Sequence, residues 1–201
     1  MIQEVVLLTG EMEGPHFQAL LISLNPRLKV IHAQTQDELE AACLRPAPKG
    51  GRRLIAFSTS VIVPKVILNG LSMEAYNFHS GPPTYPGSHS ASFAIYDRAK
   101  YFGVTAHVMR EKVDCGPIIA VEWFVIHKNA RFMELELSAY KLLLNIFTNL
   151  APHFATSSDP LPVIDAHWSC QKRTNAEFES MKNLEADMDE AEIKLRFKAF
   201  G

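Results

Sequence analysis

The feature that most restricts the fold is an alternation in the first eighty residues, where short apolar runs are separated by stretches of helical spacing. Residues 4–8 read as a buried strand that stops at Thr9-Gly10, residues 15–24 as a helix, 28–32 as a strand and 37–43 as a helix. After a Pro/Gly loop at 46–51, residues 53–57 form another apolar run. Residues 64–68 suit a short helix with proline in its first turn, and a strand follows at Asn77 and His79. This β-α-β-α-β-α-β order implies an α/β fold built on a mainly parallel sheet with right-handed crossovers.

Beyond a proline-rich loop at 80–87 the pattern changes. Residues 88–100 look helical, 104–109 and 118–126 look like strands, and Asp114-Cys115-Gly116-Pro117 forms the turn between those strands. Residues 134–150 carry Leu135, Leu142, Leu143, Ile146, Phe147 and Leu150 at helical spacing. Proline and serine mark a linker at 151–162, and residues 174–199 are charge-rich and helix-prone. The expected organisation is one domain over 1–152 and a linker with a helical extension over 153–201.

Composition excludes more than it selects. The chain has 201 residues, enough for a single sizeable core. A formal net charge of −2 offers no basic field of the kind that nucleic acid binding uses. No apolar run approaches the ~18 residues of a membrane span, and no charged-then-apolar leader opens the chain. Cys43, Cys115 and Cys170 are odd in number and scattered, which argues against a disulfide framework or a zinc site. A cytoplasmic protein without a metal is the expectation.

The candidate chemistry lies in Tyr76-Asn77-Phe78-His79. Side chains alternate faces along a strand, so Asn77 and His79 point one way while the aromatic pair points the other. The chain then breaks into Ser80-Gly81-Pro82-Pro83-Thr84-Tyr85-Pro86-Gly87, which continues neither strand nor helix. Polar residues at the carboxyl end of such a strand are where open α/β sheets build sites. With Asp114 they make an amide, an imidazole and a carboxylate, a set suited to acyl transfer onto an amine. Asn77 and His79 could donate to a developing oxyanion, and Asp114 could take the proton the amine loses. His107, on the preceding strand, could orient Asp114. Each residue also has a purely structural reading: Asp-x-Gly is a common turn, His107 a hydrogen-bonded core histidine, and His89 a helix-start residue.

In combination and order these residues resemble the 10-formyltetrahydrofolate-dependent formyltransferases, a group that includes glycinamide ribonucleotide, methionyl-tRNA and sugar N-formyltransferases. The resemblance rests on a strand and loop at 57–64, Asn77-x-His79, the loop closing on Tyr85-Pro86-Gly87, Gly103-Val104-Thr105-x-His107 and Asp114-x-Gly116-x-Ile118-Ile119. It implies a Rossmann-like formyltransferase fold with 10-formyltetrahydrofolate as co-substrate. By the same resemblance Asn77, His79 and Asp114 are catalytic and His107 matches a second histidine. It also implies a pterin slot from Ser58, Ser60, Val61, Ile62, Val63, Ile67, Val113 and the backbone leading into Asp114.

Departures narrow the acceptor. The first loop, Thr9-Gly10-Glu11-Met12-Glu13-Gly14, carries two glutamates that would repel a phosphate. A tRNA acceptor would call for a basic surface and the family's C-terminal barrel, neither of which is evident. The expected function is formyl transfer to the primary amine of a small molecule, with an amino sugar among the candidates. The alternatives are a formyltetrahydrofolate hydrolase, a methionyl-tRNA formyltransferase-like protein lacking the C-terminal domain, and a catalytically idle folate- or partner-binding module. The expected partner is the small-molecule amine; membrane and nucleic acid are not expected, and a homodimer is left open.

Overall fold

The computed structural model describes residues 2–169 and 171–201, so Cys170 lies outside the described residues. The order is β1 (Glu4–Leu8), α1 (Glu13–Leu24), β2 (Lys29–Ala33), α2 (Gln36–Cys43), β3 (Arg52–Phe57), α3 (Lys65–Gly70) and β4 (Tyr76–His79). It continues with α4 (Ser90–Tyr96), β5 (Tyr101–Val108), β6 (Ile118–Val125), α5 (Phe132–Thr156), α6 (Asn175–Met181) and α7 (Glu190–Phe200). The six strands form one sheet in the order β2-β1-β3-β4-β5-β6. The first four strands pair in parallel, while β4–β5 and β5–β6 are antiparallel.

Strand alternation sorts the sheet into two buried faces. Val5, Leu7, Ile55, Phe57, Tyr76 and Phe78 join the core that includes Phe17, Leu21, Leu143, Phe147 and Phe154. Val6, Leu8, Leu54 and Ala56 meet Leu39, Ala42 and Ile67 on the other side. Burial on both faces explains why these strands read as continuous apolar runs. Phe147 sits at the centre of the larger core, stacked on Phe17 at 3.8 Å between ring centroids and 5.3 Å from Phe78. Truncating Phe147 to alanine should cost about 3–5 kcal/mol of stability, read as a lower midpoint in denaturant unfolding. A midpoint unchanged from the parent would mean that this core is not assembled as described.

Two sequence expectations move. The linker expected from residue 151 begins only after Thr156, because α5 continues through Pro152 and buries Ala151, Phe154 and Ala155. Tertiary burial outweighs the local cost of an interior proline there. The helix thus crosses the expected 152/153 boundary, and the buried Arg53 fastens its end by donating to the carbonyls of Ser157 (3.0 Å) and Asp159 (3.1 Å). The helix-prone tail forms two helices, α6 and α7. It packs on the core: Phe200 lies 5.4 Å from Phe93, and the Tyr96 hydroxyl donates to Glu192 at 2.8 Å. Among the described residues no helix is long and apolar enough to cross a membrane.

Candidate active site

The site opens at the carboxyl end of β4. Tyr76 and Phe78 are fully buried, which turns Asn77 and His79 to the opposite face and into a pocket of about 780 Å³. In the antiparallel β4–β5 pair Asn77 lies directly opposite His107. A register shift between β5 and β6 falls at Ala106/His107, a local irregularity of the kind that re-aims a side chain beside a site. Asp114 comes from the turn between β5 and β6 with φ 50°, in the left-handed region. That turn closes tightly, because a Cβ on Gly116 would meet the Val108 carbonyl oxygen at 1.8 Å. Only glycine allows the approach.

The structure brings Asn77, His79, His107 and Asp114 together, and their hydrogen bonds assign proton positions. His107 Nδ1 donates to the Val108 carbonyl at 2.9 Å, leaving Nε2 to accept from Asn77 Nδ2 at 3.1 Å. His79 Nε2 donates to the Tyr85 carbonyl at 3.1 Å, since a carbonyl can only accept. The neutral His79 ring therefore presents a bare Nδ1, 3.7 Å from Asp114 Oδ2. That carboxylate oxygen accepts the Gly87 N–H at 2.8 Å. Asp114 Oδ1 lies 3.4 Å from His107 Nε2 and is buried without a hydrogen-bond partner.

These contacts bear on the charge states of two residues. Burial pushes the Asp114 carboxyl up, but the His107 and His79 rings, in their protonated forms, and the Gly87 N–H outweigh it and bring it down to about 2. His79 is driven below the usual histidine range by burial, against the opposing pull of Asp114, so its ring is neutral near pH 7. Its one N–H is already given to Tyr85. Nδ1 of His79 is left free on the side of the ionised Asp114, 3.7 Å from Oδ2.

Most of the residues expected around a pterin line this pocket. Ser58, Ser60, Val61, Ile62, Val63 and Val113 line it, joined by Leu68, Met109 and the backbone stretch Arg110–Asp114. Ile67 does not line it; that side chain faces inward from α3 and is buried in the core beside Leu54 and Ala56. On the short helix α3, the neighbouring Leu68 takes the position expected of Ile67. An apolar-walled slot with backbone polar groups at one edge fits a flat heterocycle.

The opposite wall was not anticipated. It includes His89, Met133, Glu136, Leu137, Tyr140 and Lys172. Positions 133, 136, 137 and 140 form one helical face of α5, separate from the stripe of Leu135, Ala139, Leu143 and Ile146 that fills the core. Met133 and Leu137 are large, apolar and exposed, the signal that could have marked this second face. Tyr140 is tied to the first loop, its hydroxyl donating to Glu13 at 2.8 Å. His89 stands at the start of α4, where its side chain makes no capping bond, and its ring stacks on Phe178 at 3.6 Å. Among the described residues no group of three or more His, Cys, Asp or Glu side chains is arranged to hold a metal.

Residues 54–142 match the family model for formyl transferase. No match was found among curated proteins. Among solved structures, the chain is similar to a Mycobacterium tuberculosis protein described as a likely sugar N-formyltransferase. The TM-score is 0.75 at 16% identity, covering 100% of this chain and 88% of that one. An N-formyltransferase from Helicobacter canadensis, in complex with folinic acid and dTDP-3-aminofucose, gives 0.71 at 13% identity, covering 100% and 81%. HypX from Aquifex aeolicus, in complex with tetrahydrofolic acid, gives 0.63 at 18% identity, covering 97% and 33%. At these identities the structural likeness is one of fold. The chain resembles the formyl transferases in sequence over residues 54–142 and shares their fold throughout.

Proposed function

We propose that the protein transfers a formyl group from 10-formyltetrahydrofolate to the primary amine of a small molecule, with amino sugars as the acceptor class. The observation that carries this reading is the state of His79: Nε2–H committed to Tyr85, and Nδ1 bare beside Asp114 at the head of an apolar slot. The acceptor class is supported by the Helicobacter canadensis relative, which was solved with an amino-sugar nucleotide.

The residues divide the work as follows. Val61, Ile62, Val63, Leu68, Met109 and Val113 would hold the pterin. The bound folate supplies an activated formyl carbon. Asn77 directs its amide N–H toward the formyl oxygen as charge builds there. His79 Nδ1 takes the proton that the attacking amine must lose and holds it for the leaving nitrogen, so the proton balance closes within the site. Asp114, ionised and 3.7 Å away, stabilises the imidazolium while it carries that proton. The wall of Met133, Glu136, Leu137, Tyr140 and Lys172 faces the acceptor.

A screen of small amines and nucleotide-linked amino sugars with the folate donor tests the reading, by mass gain of one formyl unit. Folate turnover that depends on an amine supports it; turnover equally fast in water alone would make the protein a hydrolase instead. The pH profile provides a second check. His79 acts unprotonated, and burial lowers its pKa, so the active form persists below the ordinary histidine value of about 6.5. The acid limb of kcat at saturating acceptor should therefore have its midpoint below pH 6.5, with Asp114 remaining ionised down to about 2. A midpoint at or above 6.5 would contradict His79 as the base.

A further inference from the structure

One segment outside the stretch 54–142 wraps the site from behind. Between α5 and α6 the chain runs across the turn and loop that hold the catalytic side chains, bonded at four backbone points. Ile164 N–H donates to Ile118 O (2.9 Å), Ser169 N–H to Pro83 O (2.8 Å), Arg173 N–H to Pro86 O (3.0 Å), and Ser88 N–H back to Arg173 O (3.1 Å). The approach is close enough that a Cβ on Gly87, whose φ is +94°, would meet the Arg173 carbonyl oxygen at 2.2 Å. Gly87 is the residue whose N–H binds Asp114.

At the middle of this strap is Trp168. Its ring meets His107 edge-on at 5.0 Å and 85°, and His79 at 5.8 Å and 64°. Its indole N–H donates to the Gly116 carbonyl at 2.8 Å, two residues beyond Asp114. Trp168 is not among the residues that line the pocket. Its ring packs on both imidazoles from outside that lining, and its indole bonds the turn that presents the carboxylate.

We infer that Trp168 is a positioning residue of this site, holding the His79 and His107 rings and the Asp114 turn in their working arrangement. The inference rests on the proposed formyl transfer for its kinetic consequences, and on geometry alone for its structural ones. Edge-to-face packing restrains both rings, and the indole bond fixes the turn to the same side chain. The ring also keeps water from the back of His79. The other groups facing His79 are Asp114, His107, the Tyr85 carbonyl, the Ser90 hydroxyl and Lys172. Removing the indole leaves those in place while hydrating the imidazole, which moves its titration upward.

The test uses Trp168→Ala and Trp168→Phe in the full chain. Nuclear magnetic resonance titration of the His79 imidazole needs no substrate, so it judges positioning even if no acceptor is found. The alanine variant should raise the His79 midpoint toward the ordinary value of about 6.5. It should lower kcat by about 10²-fold, as misplacement of a reacting group does, with KM for the folate donor nearly unchanged. Phenylalanine, which keeps a ring edge on both imidazoles, should restore the titration and most of kcat. If the alanine variant fails to fold, Trp168→Leu replaces it, keeping bulk without a ring. An unmoved His79 titration, or alanine (or leucine) and phenylalanine variants that behave alike, would overturn the inference. A parent protein that turns over no folate with any amine would instead remove the proposed function and leave the titration to judge Trp168.

Discussion

Replacing His79 with alanine will lower formyl transfer by about 10²- to 10⁴-fold, the range supplied by a well-placed general base. The side chain lies at the pocket end of β4 and is held by the Tyr85 carbonyl, while the core beneath it is filled by its neighbours Tyr76 and Phe78. The variant should therefore fold and bind the folate donor. The loss should fall on kcat, because the amine can still reach the formyl carbon but has nowhere to leave its proton. His79→Gln provides a control: a neutral amide fills similar space yet cannot carry a proton at pH 7, so it should be nearly as slow as alanine. A glutamine variant with close to parental kcat would assign His79 a hydrogen-bonding role instead. Rapid-quench or steady-state assay of folate turnover with a saturating amine decides the matter.

The second large effect is expected at Asp114. Changing it to asparagine removes charge and little else. The amide oxygen can still accept the Gly87 N–H, and the new NH2 group takes the place of Oδ1, which had no hydrogen bond to lose. Shape and fold should survive. What disappears is the anion beside His79 Nδ1, so the imidazolium formed during transfer loses its counter-charge. A fall in kcat of about 10²- to 10³-fold is expected, the scale of one preorganised electrostatic contact. Folate affinity, read by calorimetry, should change little. The same variant should also lower the titration midpoint of His79, since Asp114 acts to raise it. Near-parental turnover, or a His79 midpoint that rises, would be inconsistent with the assigned role.

The parts of this molecule that could be read from sequence are those where local pattern and tertiary structure agree. β1 and the Leu54–Phe57 part of β3 are buried on both faces, so each appears as an apolar run. Tyr76 and Phe78 are core residues alternating with Asn77 and His79, so the face of the catalytic pair follows from strand geometry alone. The tight turn at Asp114 is signalled by Gly116, which no larger residue could replace.

What stayed hidden depends on contacts between distant segments. Ile67 and Leu68 differ by one position on a short helix, and only the packing of α3 decides which faces the slot. Pro152 reads as a helix stop, yet Phe154 and Ala155 continue α5 because the core needs them. The proton state of His79 hangs on the Tyr85 carbonyl, a backbone group with no sequence signature. Trp168 lies more than fifty residues beyond the Asp114 turn in a segment with no regular secondary structure, so nothing in its neighbourhood links it to two histidines. The wall at Met133, Leu137 and Tyr140 was masked by a stronger core stripe on the same helix.

The most direct test is a crystal structure with a stable N10-formyl folate analogue. The account predicts the pterin between Val61–Val63 and Met109–Val113, the formyl oxygen about 3 Å from Asn77 Nδ2, and His79 Nδ1 facing the formyl carbon. A folate bound elsewhere, or one in the slot with its formyl group turned away from both Asn77 and His79, would contradict it.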